Sequence, residues 1–159
     1  MLFSLSACNQ TSLVFHPKKI DPDYVYTPNT KNTFEEIFFK TEDKQILNGL
    51  FFSNDTNKVI LYFHGNAGSL DSWQHIYKYY ESLSLNFFII DYRGFGKSSG
   101  KITESGLYLD AEGAYQYLLQ RGFQKENIIV LGRSIGSGIA VDLASKNKIN
   151  TLILESPFF

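Results

Sequence analysis

The sequence has little cysteine and little histidine. It contains one Cys and three His, at positions 16, 64 and 75, in 159 residues. A single Cys excludes an intrachain disulfide framework and a Cys-rich metal site, and the three His do not have the spacing of metal ligands. We therefore expect no metal site in this chain.

Charge of one sign and long apolar runs are also lacking. Lys and Arg number 15 against 16 Asp and Glu, which gives a formal charge of -1. Without a broad positive field, nucleic acid is not an expected partner. No run reaches the ~20 apolar residues that span a bilayer. Hydrophobic residues make up 43% of the sequence, so the chain can bury the core of about one compact domain.

The N-terminal segment ends in a motif that resembles the box cleaved by bacterial lipoprotein signal peptidase. The motif is Leu5-Ser6-Ala7-Cys8, but a full signal peptide has a basic region and about 7–15 apolar residues before it. One interpretation is a frayed apolar N-terminus with a buried Cys, in a cytoplasmic protein. The other is a longer precursor whose mature chain begins at Cys8, lipidated and anchored on the outer side of a bacterial membrane.

Apolar strands alternate with amphipathic helices after residue 33. We interpret residues 1–33 as an apolar N-terminus and extended lead-in, interrupted by three prolines, and residues 34–159 as an α/β domain. The predicted strands are Phe34–Lys40, Gln45–Ser53, Lys58–Phe63, Asn86–Ile90, Asn127–Leu131 and Thr151–Leu154; the predicted helices are Ser69–Leu83, one capped by Thr103, and Ser134 to about Lys146. The first two strands indicate an antiparallel hairpin, and the others a parallel sheet with helices on both faces.

The most specific motif lies between a predicted strand and a predicted helix. It is Gly132-Arg133-Ser134-Ile135-Gly136, the G-x-S-x-G of a nucleophile elbow in the context that the elbow requires. The tight turn demands glycine on both sides and exposes Ser134 at a helix N-terminus, where negative charge is stabilised. The alternative is a Gly/Ser-rich helix start that merely packs closely.

A second glycine-rich loop, His64-Gly65-Asn66-Ala67-Gly68, follows the third predicted strand. An oxyanion hole takes one N–H from the residue after the nucleophile and one from this loop, so Ile135 and Asn66 are the candidate donors. We interpret His64 as a residue that holds the loop by hydrogen bonds and not as the general base.

A third loop, from Asp91 to Gly100, contains Gly96-Lys97-Ser98 and invites a nucleotide interpretation. The first glycine of a P-loop would fall on Asp91, and the third glycine of a dinucleotide motif on Ser99. Nucleotide binding is therefore the less favoured alternative to a loop that supports its neighbours.

In this order, HGNAG, DYRGFGKSSG, GRSIGSG and LILESPF closely resemble the α/β-hydrolase superfamily. They are most similar to its single-domain branch of membrane-anchored serine hydrolases, which includes depalmitoylase-like and serine aminopeptidase-like proteins. The resemblance implies acyl transfer to water from an ester, thioester or amide of a small acyl-containing or peptide substrate. Ser134 would be the nucleophile, Asn66 and Ile135 the oxyanion donors, and no cofactor is implied.

The sequence departs from the family in its catalytic partners. The fold orders its triad as Ser, acid, His, but only Asp142 and Glu155 are acidic after Ser134 and no His follows it. His16 and His75 lie upstream, and we interpret Glu155 as a carboxylate that anchors a loop. We therefore expect a C-terminally incomplete domain, truncated after its sixth strand, that is either an impaired serine hydrolase or a non-catalytic fragment or binding module.

Overall fold

The computed structural model describes residues 14–157, which form one main sheet with helices on both faces. The elements in chain order are β1 (His16–Pro17), β2 (Phe34–Lys40), β3 (Ile46–Phe52), β4 (Val59–Phe63), β5 (Ala67–Gly68), α1 (Leu70–Trp73), β6 (Asn86–Ile90), α2 (Glu104–Gln120), β7 (Ile128–Arg133), α3 (Ile135–Lys146) and β8 (Thr151–Glu155). Short 3-10 segments cover Gln74–Tyr79, Glu81–Leu83 and Lys125–Asn127. Cys8 lies outside the described residues.

The main sheet has six strands in the order β2-β3-β6-β4-β7-β8. Strand β3 pairs antiparallel with both β2 and β6, and the remaining pairs are parallel. This confirms the predicted mostly parallel sheet with an antiparallel N-terminal hairpin. Because Phe63 pairs with Gly132 at the ends of β4 and β7, the loops that follow these two strands emerge side by side.

Each face of the sheet carries its own hydrophobic core. On one face, Leu107 and Leu118 of α2 and Ile139 of α3 pack with Phe88 and Val130 of the strands. The core of the other face is formed by residues of α1, the first 3-10 segment and the strands, namely Leu70, Tyr77, Phe87, Ile89 and Leu131. Thr103 caps α2 as predicted, since its side chain accepts a hydrogen bond from the Gly106 N–H. The core therefore fixes both strand ends that carry the glycine-rich loops.

The prediction of one helix from Ser69 to Leu83 is wrong. The α-helix ends at Trp73, and the chain continues in two 3-10 segments, the second of which ends at Leu83 and is followed by Ser84 with φ of 52°. Tertiary contacts explain the difference: the Gln74 side chain accepts a hydrogen bond from the Thr27 N–H and donates one to the carbonyl of Asp71. These contacts hold the Gln74 side chain at the point where the α-helix ends, although the apolar spacing of the segment fits a continuous helix.

Residues 14–33 run in extended form against the domain. Strand β1 pairs in parallel with β5, and the Tyr26 hydroxyl, 4% exposed, donates a 2.7 Å hydrogen bond to Asn48 Oδ1. Lys19 Nζ donates to the Ser98 carbonyl at 2.6 Å. Residues 14–33 are thus packed onto the loops at the C-terminal edge of the sheet.

Among residues 14–157, no helix combines the length and the apolar character needed to cross a bilayer.

Candidate active site

Ser134 occupies a sharp turn between β7 and α3. Its backbone has φ of 53° and ψ of -121°, a left-handed conformation that costs a non-glycine residue about 1–3 kcal/mol. The side chain is exposed. The turn therefore presents a hydroxyl to solvent at the C-terminal edge of the sheet.

Two glycines make this turn possible. A Cβ on Gly132 would lie 2.3 Å from the carbonyl oxygen of Gly136, and a Cβ on Gly136 would lie 2.3 Å from the carbonyl oxygen of Phe63. Both contacts are to backbone atoms, which cannot move aside as a flexible side chain can. The close approach of β4, β7 and α3 thus requires glycine at both positions.

The N-terminus of α3 begins directly after Ser134. Ile135 is its first residue, and the N–H groups of a first helical turn have no partner within the helix. The Ser134 carbonyl accepts a 2.9 Å hydrogen bond from the Ser137 N–H, and the Ser137 hydroxyl also contacts it. The helix dipole and the Ile135 N–H therefore favour negative charge beside Ser134.

The loop after β4 lies next to this turn. A Cβ on Gly65 would be 3.9 Å from Ser134 Cβ and 3.5 Å from the Trp73 ring. The Asn66 carbonyl accepts from the His16 N–H at 2.8 Å, and the Asn66 side chain donates to the Val14 carbonyl at 2.7 Å. Within residues 14–157 the Asn66 N–H makes no hydrogen bond, so it is available as a donor.

His64 is enclosed beneath this loop, and its side chain is 0% exposed. Its Nδ1 lies 2.7 Å from the Gly65 carbonyl, which requires a proton on Nδ1 for a hydrogen bond. Its Nε2 lies 3.4 Å from Asp91 Oδ1 but has no hydrogen-bond partner among the described residues. The ring stacks on Trp73. The burial of His64 and its contacts with Gly65 and Trp73 agree with the predicted role of holding the loop after β4.

Asp91 is the buried carboxylate of the neighbouring loop. Both of its oxygens accept from the Leu70 N–H, at 3.0 and 3.1 Å, which anchors the start of α1. Burial raises the pKa of this carboxyl, and the contact with His64 opposes that rise. The pair links two loops that border the Ser134 turn.

The cations of the loop after β6 are engaged within the protein. Arg93 pairs with Asp43 at 2.7 Å and with Asp110 at 2.8 Å. Lys97 Nζ donates to the Tyr24 carbonyl and to Glu36, each at 2.8 Å. These partners are those of a loop that supports its neighbours, and they occupy the Lys97 ammonium group that a phosphate would need.

Among residues 14–157, no group of three or more His, Cys, Asp or Glu side chains is arranged to hold a metal ion.

A cluster that the sequence reasoning did not foresee lies around Arg133. Its guanidinium packs over the Trp73 ring, 5.7 Å from the centroid, and lies 3.5 Å from Glu155 Oε1. Arg133 lies in the G-x-S-x-G motif and Glu155 in the LILESPF segment of the sequence. The pairing of β7 with β8 brings these two residues together. Glu155 thus contacts Arg133. His75, Trp73 and Arg133 all line one open groove on this side of the sheet.

The sequence of this chain is similar to those of known proteins. The family model described as the alpha/beta hydrolase fold matches residues 58–159. The chain is 39% identical over 143 residues to protein bem46 of Schizosaccharomyces pombe, covering 84% of this chain and 48% of that protein. It is 36% identical over 139 residues to human alpha/beta hydrolase domain-containing protein 17B, covering 85% and 48%. The chain therefore spans about half the length of the curated relatives that it matches.

Solved structures give the same result. An esterase of Pyrococcus furiosus superimposes with a TM-score of 0.75 at 26% identity, covering 89% of this chain and 58% of the esterase. An alpha-beta hydrolase from Vibrio vulnificus superimposes with a TM-score of 0.69 at 31% identity, covering 78% and 45%. Family model, sequence relatives and structural neighbours agree, and the chain belongs to the family of proteins with the alpha/beta hydrolase fold.

Proposed function

We propose that this chain carries the nucleophile of a serine hydrolase that cleaves an ester, thioester or amide through an acyl-enzyme at Ser134. The observation that carries the proposal is the Ser134 backbone, held at φ of 53° with its side chain exposed at the start of α3. Strain of this kind persists only where the surroundings impose it, and it concentrates at functional sites. Ser84 has a similar φ of 52°, but its ψ of 35° is that of an ordinary left-handed turn, whereas Ser134 has ψ of -121°.

The backbone N–H groups of Ile135 and Asn66 are the proposed oxyanion donors. The first is at the N-terminus of α3, and the second lies in the loop whose Gly65 borders Ser134. Donors aimed at the oxygen that becomes negative stabilise the tetrahedral intermediate, and loss of one such donor costs about 2.7–4 kcal/mol in other serine hydrolases. Because both donors are backbone groups, side-chain substitution does not remove them.

None of the three histidines has the chain position that the fold gives to the general base, because all of them precede Ser134. His64 is enclosed and its Nδ1 contacts the Gly65 carbonyl, so it is poorly placed to take a proton from Ser134. Without a base Ser134 stays a neutral hydroxyl, and loss of that partner lowers turnover of a triad enzyme by about 10⁶-fold. We infer that residues 1–159 alone are an impaired hydrolase.

The proposed substrates are small acyl compounds or acylated peptides. Since the reaction is acyl transfer to water by serine and backbone donors, the proposal includes no cofactor. The human relative is described as a hydrolase domain protein, which agrees with this chemistry at the level of the family.

A direct test compares ester hydrolysis by residues 1–159 with hydrolysis by a fusion to the downstream half of the Schizosaccharomyces pombe relative. We expect p-nitrophenyl acetate turnover by the fusion and almost none by the short chain. Ser134→Ala should abolish the turnover of the fusion. The matched control is Ser145→Ala, an exposed serine of the same helix, which should leave it unchanged.

The alternative is a non-catalytic module that retains the turn as a binding site. A fusion that folds but does not hydrolyse the ester would favour this alternative. Turnover of the short chain within about tenfold of the fusion, a barrier difference of about 1.4 kcal/mol, would show that an unrecognised base is present.

We also propose attachment to a bacterial membrane through a lipid on Cys8, on the basis of the Leu5-Ser6-Ala7-Cys8 box. Metabolic labelling with palmitate tests it. Label that is lost in Cys8→Ala supports attachment, and equal labelling of the two proteins refutes it.

A further inference from the structure

An open groove follows α1 and the first 3-10 segment, and Arg133, the residue before Ser134, is part of its lining. Its volume is about 1100 Å³, and its lining includes Trp73, Ile76, Tyr79, Lys78 and Arg133. Arg133 directly precedes Ser134 in the chain, and a Cβ on Gly65 would lie 3.5 Å from the Trp73 ring and 3.9 Å from Ser134 Cβ, so the groove lies next to the turn. Ligand grooves of this kind are lined mainly by apolar and aromatic side chains with a few polar groups.

One wall of the groove is apolar and exposed. The Tyr79 side chain is 81% exposed, and Trp73 and Ile76 are only partly covered by the core. A large exposed aromatic beside other apolar side chains has no role in the core and is typical of a binding surface. This wall suits an alkyl or acyl chain.

The charged groups of the groove are cationic. Lys78 and Arg133 line it, and the lining includes no carboxylate. Within residues 14–157, Lys78 has no carboxylate within 4.0 Å. The charge of the lining is therefore complementary to an anion.

Glu155 is the carboxylate that contacts Arg133, and this contact does not neutralise the positive charge of the groove lining. Its Oε1 lies 3.5 Å from Arg133 Nη1, and the two side chains are 39% and 40% exposed. An ion pair of that exposure contributes at most about 1 kcal/mol. The guanidinium has five N–H donors, so it can bind an anion while it remains near Glu155.

We propose that the groove binds an anionic amphiphile, with its alkyl or acyl chain against Trp73, Ile76 and Tyr79 and its phosphate or carboxylate group drawn to Lys78 and Arg133. The groove proposal rests on the proposed function in one respect: the amphiphile is taken to be the substrate that reacts at Ser134. The proposed ligands thus form one chemical class, amphiphiles that carry an anionic group. A neutral ester fits the apolar wall but makes no charge contact with Lys78 or Arg133.

Trp73 makes binding measurable without turnover. It is the one tryptophan of the sequence and it lines the groove, so its fluorescence reports on this site alone. Residues 1–159 are titrated with decyl phosphate below its micelle concentration, and in parallel with decyl maltoside, decyltrimethylammonium and inorganic phosphate. We expect saturable binding of decyl phosphate that is at least about tenfold tighter than binding of any of the other three.

Lys78→Gln should weaken decyl phosphate binding about fivefold, the effect of one exposed charge pair, and leave decyl maltoside binding unchanged. The matched control is Lys125→Gln, an exposed lysine before β7 at the opposite edge of the sheet, which should change neither. Arg133→Gln removes the contact with Trp73, so its affinity is measured by titration calorimetry; we expect a loss at least as large as that of Lys78→Gln.

Equal affinity for decyl phosphate and decyl maltoside would overturn the proposal, as would decyl phosphate binding that both Lys78→Gln and Arg133→Gln leave intact. Inorganic phosphate that binds as tightly as decyl phosphate would refute the role of the apolar wall. Ser134→Ala should bind decyl phosphate normally. Failure of the groove proposal is thus distinguishable from failure of the acyl-enzyme proposal, which is judged by reaction at Ser134.

Discussion

The backbone N–H of Ser134 donates a 2.9 Å hydrogen bond to the carbonyl oxygen of Glu155. The last residue of β8 therefore holds the turn that presents the serine, and the side chains of Arg133 and Glu155 meet beside the same bond. A conformation as strained as that of Ser134 needs such support from the neighbouring strand. The elbow depends on β8 as much as on its own two glycines.

Strand β8 should make this chain self-associate. It pairs only with β7 among the described strands, and its Leu152, Ile153 and Leu154 are 38%, 43% and 39% exposed. Apolar edge strands are sites of edge-to-edge pairing. Sedimentation velocity at rising concentration should show oligomers that Ile153→Lys reduces. Leu83→Lys, at an exposed leucine outside the sheet, should not reduce them; a strictly monomeric chain would contradict the prediction.

Replacing Ser134 by glycine should stabilise the fold. Glycine adopts φ of 53° without the steric cost of a Cβ, so we expect Ser134→Gly to raise the free energy of unfolding by about 1 kcal/mol. Ser134→Ala retains the Cβ and should give no such gain. Urea denaturation of the three proteins measures the difference. Equal stability of the Gly and Ala variants would mean that the turn is not strained.

Two glycines of α3 should respond oppositely to alanine. A Cβ on Gly136 meets the Phe63 carbonyl oxygen at 2.3 Å, whereas a Cβ on Gly138 has nothing within 4 Å. We expect Gly136→Ala to lower the free energy of unfolding by about 3 kcal/mol through overpacking. Gly138→Ala should raise it by up to about 1 kcal/mol, because alanine has the higher helix propensity. The same urea experiment decides; similar effects of the two substitutions would contradict the packing described.

Stability at acid pH should depend on Asp43. Hydrogen bonds from Arg93 lower the pKa of this carboxyl to about 2. A carboxyl with a lower pKa in the folded than in the unfolded state stabilises the protein above its unfolded pKa, and the contribution is lost as the pH falls through the folded pKa. The stability advantage of the wild type over Asp43→Asn should therefore shrink between about pH 4 and about pH 2. An advantage that does not vary over this range would be evidence against the ion pair.

The strands were predictable because each is a short apolar run bounded by polar or glycine-rich segments. Phe34–Lys40 and Asn86–Ile90 have the predicted bounds, and Ile46–Phe52 differs by one residue at each end. The local strand, turn and helix signals around Gly132 and Gly136 were equally clear in the sequence. Local patterns thus sufficed to predict the strands of the six-stranded sheet and the position of Ser134, but not the two-residue strands β1 and β5.

Long-range contacts account for what the sequence did not predict. The 3-10 path after Trp73 is set by hydrogen bonds from residues 27–32, such as that from the Asn32 side chain to the Tyr77 hydroxyl. The packing of Arg133 over Trp73 joins residues 60 positions apart, and no local periodicity encodes it. Tertiary contacts of this kind override or escape sequence patterns.

The central claim is that Ser134 is the residue that accepts the acyl group. The most direct measurement is intact-protein and peptide mass spectrometry of the fusion to the downstream half of the Schizosaccharomyces pombe relative, after reaction with a fluorophosphonate. The account predicts one adduct per chain, located on Ser134, which disappears in Ser134→Ala and persists in Ser145→Ala. An adduct that survives Ser134→Ala, or a folded fusion that remains unlabelled, would contradict it.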